Sequence, residues 1–210
     1  SGYPLDELKD IVARHNPHHK QVEFLQYVAM GKDLEGKSYA ELMLAGYALS
    51  HSQLLAQAHA IVHVSGRAYI ANIDAIMSGL PEQFHVIAKF LNNLANSETN
   101  IFIVEKNFFT SQIFPYLAEQ INDHTRMYYE RAFAKAIHRA LAQDYQWFPF
   151  AVEPIVESIG ATKNSSFGRG RWFSWYAGII NRLHDRISRT SHGRNRKHLL
   201  QLWNVPPQSH

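Results

Sequence analysis

Apolar residues return at three- and four-residue spacing over most of this chain, and strict alternation is rare. From Leu42 to Met77 there is no proline, and Leu, Ala, Ile and Tyr recur with a helical period, which predicts one kinked helix or two helices broken near Ser65-Gly66. Ser38-Tyr39-Ala40-Glu41 has the S-x-x-E form of a capping box at the start of that stretch, and Ser78-Gly79-Leu80-Pro81 closes it. Upstream, "LDELKDIVARH" reads as a short helix. Asn16-Pro17 then reads as an N-cap with proline at the first helical position, giving a helix over "HHKQVEFLQYVAM" that Gly31 ends before the charged turn "GKDLEGK".

Downstream, Pro81 is placed to open a helix over "EQFHVIAKFLNNLAN", which the polar cluster "NSETN" stops. "IFIV" at 101–104 is the best strand candidate, yet four residues with no nearby partner strand favour a short extended connector. Thr110-Ser111 can cap "QIFPYLAEQI", where Pro115 is tolerable only in a first turn. Met127, Phe133, Ile137 and Leu141 help define the apolar face of a helix in "TRMYYERAFAKAIHRALAQ". "WFPFAVEPIV", with two prolines, suits a packed extended connection, and "GATKNSSFGRG" is linker-like. Trp172, Trp175, Tyr176, Ile179, Ile180, Leu183 and Ile187 predict a last long helix with one buried stripe, Gly193 ends it, and "NRKHLLQLW" can add a short final one. The expected fold is all-α, a multi-helix globular bundle of about seven to nine helices with short turns and at most one short extended segment near 101–104. Residues 1–160 would form a helical core block, and 161–210 a basic helical segment packed on it within one structural domain.

Composition changes this picture little. Across 210 residues, 46% are hydrophobic and 12% aromatic, enough for a sizeable core. With no cysteine, disulfides and thiolate chemistry drop out, so a metal would need His, Asp or Glu. No apolar run approaches the length of about 18 residues that spans a bilayer, and no secretory signal pattern opens the chain. These features suit a cytoplasmic protein. The opening Ser1-Gly2 is what a tag remnant or an excised piece would leave, so a membrane anchor outside the sequence, with this as its cytoplasmic domain, stays open.

Charge changes it more. Residues 1–162 hold 12 Lys/Arg against 17 Asp/Glu, a balance of −5; residues 163–210 hold 9 Lys/Arg against Asp185 alone, a balance of +8. Such asymmetry points to an acidic partner for the C-terminal part, or to docking of that part on the acidic N-terminal one. At about 100° per residue, Arg171, Arg182, Arg186 and Arg189 share nearly one azimuth of the expected helix, away from its apolar stripe. Guanidinium forks bind phosphate or carboxylate bidentately. The expected binding set is Arg169, Arg171, Arg182, Arg186, Arg189, Arg194, Arg196 and Lys197, and the expected partner an acidic protein or peptide, or nucleic acid. An anionic membrane surface suits the same row.

Thirteen histidines add candidate chemistry. In "HAIVH", His59 and His63 would lie one helical turn apart and could share a metal, although H-E-x-x-H lacks its glutamate here and His51, Asp74 or His85 would have to complete the set. His15, His18 and His19 fall in an expected turn. Arg131 with His138, and Arg186 with His192, resemble the R-x4-6-H signature of HEPN-type helical ribonucleases; that resemblance implies acid/base work for the histidine and phosphate binding for the arginine. Neither G-x-S-x-G nor a phosphate-binding glycine motif is present. The reading is therefore a non-enzymatic interaction module without a cofactor, possible within a larger assembly. Its alternatives are a helical ribonuclease using an Arg/His pair or a His-ligated metal enzyme.

Overall fold

The run Ile101-Phe102-Ile103-Val104 lies at the centre of the protein, with every one of its side chains buried. The computed structural model describes residues 5–29, 36–66, 68–91 and 94–158. Its elements are, in order, α1 (Leu5–His15), α2 (Lys37–His51), α3 (Gln53–Gln57), β1 (Ala60–Val64), β2 (Ala68–Ile70), α4 (Ile73–Ser78), β3 (Val86–Ile87), β4 (Phe90–Leu91), β5 (Asn96–Ser97), β6 (Ile101–Glu105), α5 (Lys106–Phe108), α6 (Phe114–Gln120), α7 (Tyr129–Leu141), β7 (Trp147–Phe148) and β8 (Val156–Ser158). The order in the main sheet is β1-β6-β3-β7, with β1 and β3 antiparallel to β6 and β7 parallel to β3. Ribbons β2–β8 and β4–β5 complete the strands.

This is an α+β fold, which overturns the expected all-α bundle. The stretch Leu42–Met77 is not one broken helix: α2 ends at His51, the chain turns through Ser52, and Ile61, Val62 and Val64 enter a strand. β-branched side chains fit the pleated surface better than a helical turn. The helix expected over 82–96 is likewise replaced by β3, β4 and β5, with Leu94 at φ 66° breaking any helical path. Residues 20–29, expected to be helical, form no regular element. The extended segment at 101–104 is the core of β6.

Sheet parity sorts the apolar residues into two cores. Ile61, Phe102, Val104 and Val86 face one side, where Leu42, Leu117, Phe133 and Ile137 of α2, α6 and α7 cover them. Val62, Ile101, Ile103 and Ile87 face the other, against Ile70, Ile76, Phe148 and Phe150. A strand buried on both faces reads as an unbroken apolar run. On α7, Tyr129, Ala132, Phe133, Ala136, Ile137 and Ala140 are buried at i, i+3, i+4, i+7, i+8 and i+11; Phe133 and Ile137 of the expected apolar face are among them, while Met127 precedes the helix and, like Leu141, is only partly buried. Between α5 and α6 the helix widens to a π turn over Phe109–Ile113, and Pro115 falls in the first turn of α6. Gly46 allows α2 to approach α6, since a Cβ there would lie 2.9 Å from the Phe114 ring.

Candidate functional site

The arginine row is a property of residues outside the described ones: Arg169, Arg171, Arg182, Arg186, Arg189, Arg194, Arg196 and Lys197 all lie there, as do Arg186 and His192 of the second Arg/His pair. The described chain ends in β8, where Ser158 pairs with Ala68. The basic segment therefore follows directly on the β2–β8 ribbon.

The histidine pairs can be placed. His63 lies in β1 and His59 at the bend just before it, so they are not one helical turn apart, and at about 3.3 Å per residue their Cα atoms are separated by up to roughly 13 Å. No cluster of three or more His, Asp or Glu is arranged to hold a metal among the described residues. Arg131 and His138 are on α7, separated by two turns and roughly 10 Å of rise. His138 is engaged elsewhere: Nε2 donates to the Leu94 carbonyl at 2.9 Å, and the ring stacks on Phe90. That contact holds the β4–β5 turn against α7. His85 accepts from the Gln146 N–H through Nδ1 and packs edge-on to Tyr145, while His51 stacks on Tyr47. These histidines anchor loops and helix ends.

His63 stands apart, in a cluster that the sequence reading did not anticipate. It occupies a core-facing position of β1 opposite Phe102, with the two rings stacked at 4.5 Å and 9°. Nε2 is buried and lies 3.6 Å from Glu41 Oε1, within ion-pair range when the imidazole is protonated but too long for a hydrogen bond. Across the same core, Tyr129 is 1% exposed and its hydroxyl makes no hydrogen bond among the described residues. Burial, then the charges of Glu41 and Glu130, push this phenol well above the ordinary tyrosine range, so it stays protonated. Glu41, His63 and Tyr129 come from α2, β1 and α7. They supply an acceptor, a titratable ring and a donor, a group whose chemistry is hydrogen bonding and charge. The signal in sequence was parity: once β1 is a strand, Ile61 and His63 share the core face.

Other carboxylates serve the fold. Ser52 Oγ donates to Glu23 at 2.5 Å, and the N–H groups of Gln53 and Leu54 donate to the same carboxylate, which ties the 20–29 segment to the start of α3 and lowers the Glu23 pKa. The expected capping box at Ser38 is absent. Asp123 instead accepts the Tyr39 N–H at the start of α2, and Gly36 leaves room for it, because a Cβ there would collide with the Asp123 carboxylate. Lys89 pairs with Glu153. Among the described residues, no helix is long and apolar enough to cross a membrane. No family model matches the chain, and neither the curated proteins nor the solved structures contain a match to it.

Proposed function

We propose that this chain is an interaction module: an α+β body that carries a basic C-terminal segment to an acidic partner on the cytoplasmic side. The observation that carries this reading is the charge partition, +8 in residues 163–210 against −5 in residues 1–162. An intramolecular role for the basic segment would need the acids of the body to be available, and several are already engaged. Glu23 and Asp123 hold helix starts, while Glu153 and Asp6 pair with Lys89 and Lys9. The other acids of residues 1–162 keep the balance of the body negative, so docking on the body is the alternative that the following experiment separates from an external partner, an acidic protein, an acidic peptide or a nucleic acid.

Changing Arg182, Arg186 and Arg189 together to Gln should weaken binding to a polyanion while altering stability by only about 0.5 kcal/mol. Titration against RNA, DNA and a Glu-rich peptide over a range of salt identifies the partner class. Phosphate contacts give a log-log slope of about −0.7 to −0.9 per phosphate neutralised, and the variant should lose part of it. A carboxylate partner should favour the Glu-rich peptide over nucleic acid of equal charge. If the variant binds as the parent does but melts several degrees lower, the arginines are internal struts and the module reading fails.

A further inference from the structure

We propose that the outer edge of β1, unpaired among the described residues, is a self-association surface, on which a second copy of this chain adds its own β1 antiparallel about Val62. The proposal rests on the hydrogen-bond parity of the sheet and does not depend on the basic segment. The Lys106 N–H donates to the His59 carbonyl, and the Ser65 N–H donates to the Asn100 carbonyl. Residues 59 and 65 therefore form hydrogen-bonded pairs with β6, and alternation assigns the same pattern to Ile61 opposite Val104 and His63 opposite Phe102. The backbone N–H and C=O groups of Ala60, Val62 and Val64 consequently point away from β6. β1 is the last strand on its side of the sheet, and among the described residues nothing bonds to these outward groups.

Open edges are normally blunted by lysine, proline or a bulge, and Ala60-Ile61-Val62-His63-Val64 has none of these. Its burial agrees with an accessible edge. Val62 and its cross-strand neighbour Ile103 face the same core, yet Val62 is half-buried while Ile103 is fully buried, and Val64 remains 39% exposed.

The strand is also complementary to itself. With a two-fold axis at Val62, Ala60 faces the partner's Val64, Ile61 faces the partner's His63, and no two carboxylates or lysines of the strand oppose each other. Both copies then present the same face to the same side, so the two sheets join into one with their helical layers continuous. The contact is isologous and uses both β1 edges, so it closes at a dimer. A heterologous partner could offer backbone groups, but it would not obey the register that symmetry imposes.

The register supplies the test. Ala60 and Val64 are exposed and lie on one face of β1, roughly 13 Å apart within a chain. The full chain is examined by sedimentation over a wide concentration range, with circular dichroism to show that each variant is folded. Wild-type protein should dimerise. The Ala60→Lys, Val64→Lys double variant places like charges opposite each other twice, while position 60 keeps the same Lys–Glu105 pairing within the chain as in the variant below, and should weaken dimerisation about tenfold or more. The Ala60→Lys, Val64→Glu variant places opposite charges there and should dimerise at least as well as wild type. A wild-type chain that stays monomeric throughout overturns the proposal. So does a dimer that responds equally to both variants.

Discussion

β1 and β6 are neighbours in one sheet, five residues each and paired along their whole length, yet their environments differ sharply. β6 buries Ile101 through Val104 completely, whereas β1 buries no residue fully. Both strands carry apolar side chains toward the same two cores, so the difference comes from position. A central strand has a neighbour on each side, and an edge strand leaves one row of backbone groups and one margin of each side chain open. Apart from Glu105 at the end of β6, the polar side chain of the paired faces is on the edge strand: His63 sits opposite Phe102, reached by Glu41 from α2. The centre supplies stability, and the edge is where this sheet has room for chemistry and partners.

The strongest way to break that contrast is to truncate the two members of one cross-strand pair. Ile103→Ala should cost about 2–5 kcal/mol, because a fully enclosed site cannot collapse onto the lost atoms. Val62→Ala, directly opposite on the same face, should cost less, about 1 kcal/mol, since part of its surface stays in water and fewer atoms are removed. Urea unfolding of dilute protein measures both. Equal losses would mean that β1 is not an edge in solution.

Proline substitution tests the backbone alone. At Ile61 the N–H faces β6, so Ile61→Pro removes a ladder hydrogen bond and orphans an acceptor, a loss of about 1–3 kcal/mol. At Val62 the N–H points outward, the position where an edge strand tolerates proline, and Val62→Pro should cost less. Thermal melting of both variants at low concentration decides it. If Val62→Pro were the more damaging, the parity assigned to β1 would be reversed.

The same contrast explains what the sequence could reveal. α1, α7 and the start of α2 are legible because apolar residues such as Phe133 and Ile137 recur at helical spacing over enough turns to establish the period. β1 was not, because a spacing of four is ambiguous: His59 and His63 share a face on a helix and, four being even, on a strand as well. β3 and β7 are two residues long, too short to show alternation, and they meet across some sixty residues of sequence, which no local pattern records. "IFIV" is legible as extended but not as central, since its partners at 60–64 and 86–87 both lie in stretches with helical spacing. The Glu41–His63–Tyr129 cluster depends on those pairings and on the packing of α2 beside α7, so it was hidden with them. The arginine row is legible in sequence as charge, and its place on the protein is outside the described residues.

The smallest expected effect concerns whether that cluster is a network or three separate groups. Among the described residues the buried Tyr129 hydroxyl has no hydrogen bond, so Tyr129→Phe should leave stability unchanged or raise it by up to about 1 kcal/mol at neutral pH. The pH dependence has a definite sign. Because folding raises the phenol pKa, the folded state holds a proton that the unfolded chain releases at alkaline pH. That contribution is intact below the ordinary tyrosine pKa of about 10 and is lost as pH rises beyond it, so the variant should lose less stability in alkali than wild type does. Chemical denaturation at neutral and alkaline pH gives both comparisons. A Tyr129→Phe variant destabilised by well over 1 kcal/mol at neutral pH would show the hydroxyl bonded in solution. Glu41, His63 and Tyr129 would then form one connected unit, placing a buried polar network directly beneath the open edge of the sheet.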